Sequence, residues 1–205
     1  MLGCMTTERP ARAATRVTDP RALRALAHPV RLSLMGLLRT QGPLTATKAA
    51  ELLGESSASA SFHLRQLAKY GLVEEAGGGQ GRERPWQAAE LFTDVQSVTD
   101  DPQVAAAAGL LHKVVADHYF AGVTQWLDEM NSEPQQWQEA GQFGDTLLYL
   151  TAAELTELGD QVEGLLDAYL DRIADPSRRP RGARLVRFLQ IAHPLLGPMA
   201  GERER

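Results

Sequence analysis

Helix breakers fall so closely along residues 19–89 that this segment can hold only short helices, each needing its neighbours to build a core. Pro29, the Gly42-Pro43 pair, Gly54 and Gly71 cut it into four helical stretches, and Gly77, Gly78 and Gly79 follow. Proline removes a backbone donor, and glycine accepts the left-handed conformation that closes a helix, so a helix is expected to end at each point. Helices of this length are marginal alone in water, so the four must pack on one another.

Each stretch carries its own start signal. Asp19-Pro20 supplies a capping carboxylate and then a proline where its missing N–H costs nothing. Leu23 and Leu26 give the first helix an inward face, and Val30, Leu34, Leu37 and Leu38 recur at helical spacing in the second. Thr45 caps a third helix, expected to bury Ala49, Leu52 and Leu53 before Gly54 stops it. The fourth is predicted over 57–70, with Ala60, Leu64, Leu67 and Ala68 on its core side. GLVEEA, GGGQGRE and RPWQAA then read as two strands around a glycine-rich tip, with Trp86 packed beneath the hairpin.

Short helices joined by a tight turn, a Ser-rich helix start and a basic hairpin form the layout of a winged helix-turn-helix. In that layout the second helix of the motif enters the DNA major groove while the hairpin reaches the backbone or minor groove. Wound at about 100° per residue, the side of helix 57–70 away from the core presents Ala58, Ser59, Phe62, Arg65, Gln66 and Lys69. Ser59 and Gln66 can exchange hydrogen bonds with base edges, Phe62 suits a thymine methyl, and Arg65 and Lys69 suit phosphates. His63 is expected on the flank, within reach of a base edge or a phosphate. Ser57 and its small neighbours let the helix N-terminus approach DNA, where free N–H groups favour a phosphate. Arg82 and Arg84 sit where wing arginines meet the sugar-phosphate backbone or a narrow minor groove. The expected DNA-binding set is therefore Ser57, Ser59, Phe62, His63, Arg65, Gln66, Lys69, Arg82 and Arg84. A capped helix with an ordinary polar face is the plainer account of 57–70 taken alone, and the wing that follows weighs against it.

ALAHPVRLSLMGLL followed by SASFHLRQLAKYGLVEE resembles the ArsR family of winged-helix repressors, above all in the Ser-x-His-Leu step at Ser61, Phe62, His63 and Leu64 and in the Gly-Leu-Val that opens the wing. The resemblance covers residues 19–89, about a third of the chain. It implies a homodimer binding an inverted repeat, usually as a repressor released by an effector. Many relatives sense metals through paired cysteines in the first helix of the motif, but the corresponding TATKAAELLG has neither cysteine nor histidine. The other familiar site lies on the helix after the wing, where LLHKVVADHYF offers His112, Asp117 and His118. His112 and His118 are separated by about 600° of helical rotation and so point to different sides. No metal site and no cofactor are therefore expected.

Charge supports two unlike halves. Residues 1–90 hold 12 Lys and Arg against 8 Asp and Glu, a net of +4; residues 91–205 hold 9 against 18, a net of -9; together these give the overall -5. A basic reader joined to an acidic half that avoids DNA fits this pattern. The single cysteine, Cys4, rules out an internal disulfide. No run of about eighteen apolar residues is present, so no membrane span is expected, and the location is read as cytoplasmic.

From residue 100 a capping aspartate and Pro102 start a long helix to about Met130, with Val104, Ala108, Leu111, Val115, Tyr119 and Trp126 along one side. In the family that this chain resembles, such a helix commonly makes the dimer interface. Thr151 and Glu154 form a capping box for a second long helix. There Leu155, Leu158, Val162, Leu165, Tyr169 and Ile173 alternate steps of three and four, a seam for another helix. Residues 146–150 and 185–192 read as strands, giving a strand-helix-strand module. Tyr119, Trp126, Trp137, Phe143, Tyr149 and Tyr169 read first as core and interface residues, and second as the lining of a pocket for a small-molecule effector.

The expected fold is mainly α with a small β wing: a disordered leader over 1–16, a winged helix-turn-helix domain over 17–92, and a helical dimerisation and effector-binding region over 93–205. No nucleophile–base pair, carboxylate pair or phosphate-binding glycine loop stands out, so no enzyme is expected. The leading function is a sequence-specific DNA-binding transcriptional regulator acting on double-stranded DNA as a homodimeric repressor. The alternative is a winged-helix protein–protein interaction module without specific DNA binding.

Overall fold

The breakers act where the sequence places them. In the computed structural model, which describes residues 14–77, 84–95 and 99–196, the first elements are strand β1 (Ala14–Val17) and helices α1 (Pro20–Leu26), α2 (Pro29–Gln41), α3 (Ala46–Leu53) and α4 (Ser57–Ala68). The Asp19 carboxylate accepts from the Arg21 N–H at 2.8 Å and opens α1. Thr45 Oγ1 accepts from Lys48 N–H at 3.1 Å and opens α3. Gly54 closes α3 at φ +68°, in the left-handed region where a side chain would strain the backbone. Helix α4 ends two residues before the expected Tyr70, and the chain turns through Gly71 at φ +67°.

Strands β2 (Val73–Glu75) and β3 (Trp86–Ala88) pair antiparallel, Val73 opposite Ala88 and Glu75 opposite Trp86. Leu44 bridges to the other edge of β3 by exchanging both backbone hydrogen bonds with Trp86, at 2.9 and 2.8 Å. The wing is thereby fastened to the turn between α2 and α3. Trp86 is half-buried against the core beneath it.

Leu23, Leu34, Leu64, Leu67, Leu72 and Val73 are fully buried and tie α1, α2, α4 and β2 into one core. Burying such a side chain contributes roughly 1.5–3 kcal/mol relative to leaving it in water. Leu52 departs from expectation: it is 43% exposed, and Ala50 is buried beside Ala49 in its place. Helix α3 meets α4 through small side chains, Ala49, Ala50 and Ala60, which bring the two backbones close and turn the long Leu52 outward.

The start of the ordered chain also differs from expectation. Ala14 to Arg16, expected within a disordered leader, belong to β1, which pairs parallel with β4 (Phe92–Val95) in the register Ala14 to Phe92 and Val17 to Val95. Arg16 Nε donates to Asp94 Oδ2 at 2.8 Å, and Val17 is buried in the core. The rest of that leader, 1–13, lies outside the described residues. The first of two compact units extends past the wing to Asp128. Helix α5 (Pro102–Glu129) buries Val104, Ala107, Ala108 and Leu111 in the same core, which draws it into the first unit. Asp101 Oδ1 accepts from the N–H groups of Gln103 and Val104 at 2.8 and 3.3 Å and starts the helix.

The second unit, Glu129–Arg205, holds α6 (Gln135–Ala140) and α7 (Ala152–Ala174), each flanked by a 3-10 turn. Thr151 and Glu154 close their capping box at the start of α7. The expected strands do not form: 146–150 and 185–192 lie in neither helix nor ladder and are exposed almost throughout. Two short strands alone are at best marginally stable, and no third strand of this unit lies beside them. The apolar seam is displaced as well. Leu155, Gly159, Val162, Leu166, Leu170 and Ile173 are the half-buried stripe of α7, whereas Leu158, Leu165 and Tyr169 are exposed.

Candidate nucleic-acid interface

Helix α4 turns its core side inward so completely that its other side is settled by geometry. With Ala60, Leu64 and Leu67 at zero exposure, Ser57, Phe62, Arg65 and Lys69 stand exposed and Ser59 and Gln66 half-exposed. Phe62, a large apolar ring left 50% exposed in the middle of this polar face, has no role in the core. At the N-terminus Ser56 Oγ accepts from Ser59 N–H at 3.1 Å, satisfying one donor of the first turn and leaving the neighbouring N–H groups for an anion. Arg65 is oriented by its own helix: Nη1 donates to Ser61 Oγ at 2.8 Å, one turn back. Lys69 Nζ lies 5.7 Å from the Tyr70 ring centre, at the other end of the face.

The wing is only half described. Arg82 and the tip lie outside the described residues. Arg84 stands at the base of the hairpin, where Nη1 donates to Glu75 Oε2 on the opposite strand at 2.6 Å. That bond holds the guanidinium above its usual pKa and neutralises much of its local field. Gln87 Nε2 donates to Glu74 Oε1 at 2.7 Å across the same pair of strands. The register that joins Arg84 to Glu75 is not visible in the sequence, although the i, i+4 spacing of Ser61 and Arg65 is.

His63 is placed differently from the expectation that set it on the DNA-facing flank. It is 9% exposed and buried, its ring 4.5 Å from that of His28 and edge-on to Phe62 at 5.3 Å. Helical rotation carries His63 to the side that faces the start of α2, so the ring packs inside the unit. Burial and the neighbouring cations hold it below the ordinary histidine pKa.

His112 and Asp117 are exposed on α5, and among the described residues no group of three or more His, Cys, Asp or Glu is arranged to hold a metal ion. Tyr119 and Trp126 belong to the first unit, and the other four aromatics to the second. Within the second unit Phe143, Tyr149 and Tyr169 are exposed instead of lining a chamber. Trp137 is half-buried under the Arg184 guanidinium at 5.0 Å, and Arg184 in turn donates to both carboxylate oxygens of Glu133 at 2.7 and 3.0 Å. The open depression bounded by Pro134, Gln135, Gln136 and Glu139 contains none of the six. No helix among the described residues is long and apolar enough to cross a membrane.

A helical core presenting one capped, polar helix outward beside a hairpin fastened to the turn before it defines a winged helix-turn-helix DNA-binding unit. Residues 26–76 match the family described as "Helix-turn-helix domain". The solution structure of the homodimeric winged helix-turn-helix DNA-binding domain of Mb0332 from Mycobacterium bovis, described as a possible ArsR-family transcriptional regulator, is 30% identical; the match covers 47% of this chain and 76% of that one, with a TM-score of 0.31. A mutant of ZitR from Lactococcus lactis is 19% identical over 57% of this chain and 65% of its own, with a TM-score of 0.27. No curated protein matches. The family assignment rests on the matched sequence and on the motif residues, not on the superpositions. The chain belongs to the ArsR-type winged helix-turn-helix family of DNA-binding transcription regulators.

Proposed function

We propose that the chain is a homodimeric repressor that places α4 of each protomer in successive major grooves of an inverted-repeat operator. The observation that carries this reading is the outward face of α4, where Phe62 is exposed among Ser59, Arg65 and Gln66 and the helix start is capped. In this arrangement Ser59, Phe62 and Gln66 read base edges, and Ser57, Arg65 and Lys69 position the helix on phosphates. Arg82 grips the backbone from the wing. Arg84 contributes by stiffening the hairpin through Glu75, and reaches DNA only by exchanging that partner for a phosphate. Residues 17–92 act as the reader, and the region from 93 onward dimerises and receives an effector.

The mycobacterial relative is described as homodimeric. What supports the same assembly here is α5, whose first half is buried in the reader core while Tyr119, Phe120 and Leu127 remain exposed farther along. An apolar face of this extent is costly in water and suited to a second copy of the same helix.

Selection of genomic DNA fragments on the purified protein at near-physiological salt tests the reading. An enriched inverted repeat with half-sites about one helical turn apart is the expected result. Binding that shows no enrichment and disappears as salt rises would overturn it in favour of a protein-interaction module.

A further inference from the structure

We propose that His28 and Arg31 are positioning residues for DNA reading, acting through His63, and that α4 holds its reading position only while the stacked histidines are neutral. The inference rests on the reading of α4 given above. His28 stands at the start of α2, with extended backbone imposed by the proline that follows, and its side chain makes no capping hydrogen bond. A serine or aspartate would cap better. The imidazole instead meets His63 of α4, ring centres 4.5 Å apart and planes inclined by 42°. Nδ1 of His28, Nδ1 of His63 and Nε of Arg31 are all buried without a hydrogen-bond partner. A purely structural contact here would use apolar side chains, because buried polar atoms left unpaired carry a cost. Three basic groups therefore sit together, and one of them, His63, lies edge-on to Phe62, the exposed ring of the reading face.

The groups facing the pair are Arg31 from α2 and Glu55 from the turn between α3 and α4, while Tyr70 beyond α4 faces Arg31. Burial, foremost, and the Arg31 charge hold both histidines below their ordinary value; Glu55 opposes this. A state in which α4 has shifted and the rings are hydrated thus takes up protons first. The seat is fully stable above the ordinary histidine pKa of about 6.5 and weakens as pH falls below it. A proton on either ring sets a cation against the other ring and against Arg31, and the relief available is movement of α4.

The test uses the full chain and its most enriched fragment, with affinity measured by fluorescence anisotropy from about pH 8 to pH 5 at constant ionic strength. Affinity should fall about tenfold or more across the ordinary histidine range. The variant H28F keeps the ring contact, removes one titrating group and gives a protonated His63 an aromatic face, so its profile should be shallower than that of the wild type. R31Q removes the repelling charge, so a proton on the seated rings costs less and the loss of affinity at low pH should shrink. Identical profiles for the wild type and both variants would overturn the proposal, and R31Q decides the matter if H28F does not fold. Histidine ring and α4 amide resonances of the free protein give a readout that needs no DNA. Amides of residues 57–68 should shift with the same midpoint as His28 and His63, and an α4 that ignores their titration would overturn the seat. Failure to enrich any fragment while this coupling persists would refute the DNA reading and leave the seat standing as a conformational coupling.

Discussion

Replacing Arg39 with methionine removes both hydrogen bonds by which α2 holds the segment after the wing, while keeping an apolar stem of similar length. Arg39 Nε donates to Glu90 O at 3.2 Å, and Nη2 donates to Thr93 Oγ1 at 2.6 Å. Burial lowers the pKa of this guanidinium, yet an arginine remains charged at any pH at which the fold exists. A hydrogen bond from a charged donor is worth about 1.5–3 kcal/mol, and the longer bond to Glu90 belongs at the weak end. The site is only half-buried, so water replaces part of what is lost. A net cost of about 2 kcal/mol follows, a factor of about thirty in the opening equilibrium of the first unit. Because the chain has two units, a single unfolding curve mixes their transitions. Native-state hydrogen exchange at the Leu64 and Leu67 amides isolates the first. Thr93→Val should show coupling to Arg39→Met of about 1 kcal/mol, and Arg39→Lys should rescue little, since a point charge cannot serve both acceptors. A change under about 0.5 kcal/mol for Arg39→Met, or strict additivity with Thr93→Val, would refute the reasoning.

Other substitutions separate the parts of the reader. Arg82→Ala should weaken binding to all sequences alike and reduce the salt slope by about 1, read from titrations at several salt concentrations. Gln66→Ala should instead change the preference between sites, and an unaltered preference in a competition selection would remove it from the base contacts. Leu64→Ala, at a fully buried position, should destabilise the first unit by about 2–5 kcal/mol, measured by the same exchange experiment.

The reader was legible because its signals are local. Asp19, Thr45, Gly54 and Gly71 act within a turn of where they stand, and the apolar spacing of α4 places Ala60, Leu64 and Leu67 inward without reference to anything distant. What the sequence misplaced depends on which surface arrives opposite. Ala50 and Leu52 flank Ala49 on opposite sides of the α3 stripe, and the buried side extends toward Ala50, leaving Leu52 exposed. His63 lies near the border between the two faces of its helix, where rotation alone assigns it to neither. The His28 ring is what makes the inward placement favourable. The Arg84–Glu75 pair required a strand register, and β1 required a partner nearly eighty positions away, which short-range patterning does not encode.

The second unit shows the same limit from the other side. The expected seam and the observed stripe of α7 both run from Leu155 to Ile173 in five steps, an average of 3.6 residues, so the period does not choose between them. The half-buried stripe of α7 runs from Leu155 through Gly159, Val162, Leu166 and Leu170 to Ile173. Gly159 lies on that stripe where the chain near Gln190 passes, so the stripe is set by contacts within the unit. Leu158, Leu165 and Tyr169, which completed the alternating seam, lie along one edge of that stripe and are exposed, Leu165 by 72%. Only Leu155, Val162 and Ile173 belong to both patterns. Two overlapping stripes on one helix mean that periodicity identified an apolar helix correctly but left its inward direction undetermined. That direction is fixed by the neighbours, and it is why the caps of α7 were readable in the sequence while its packing was not.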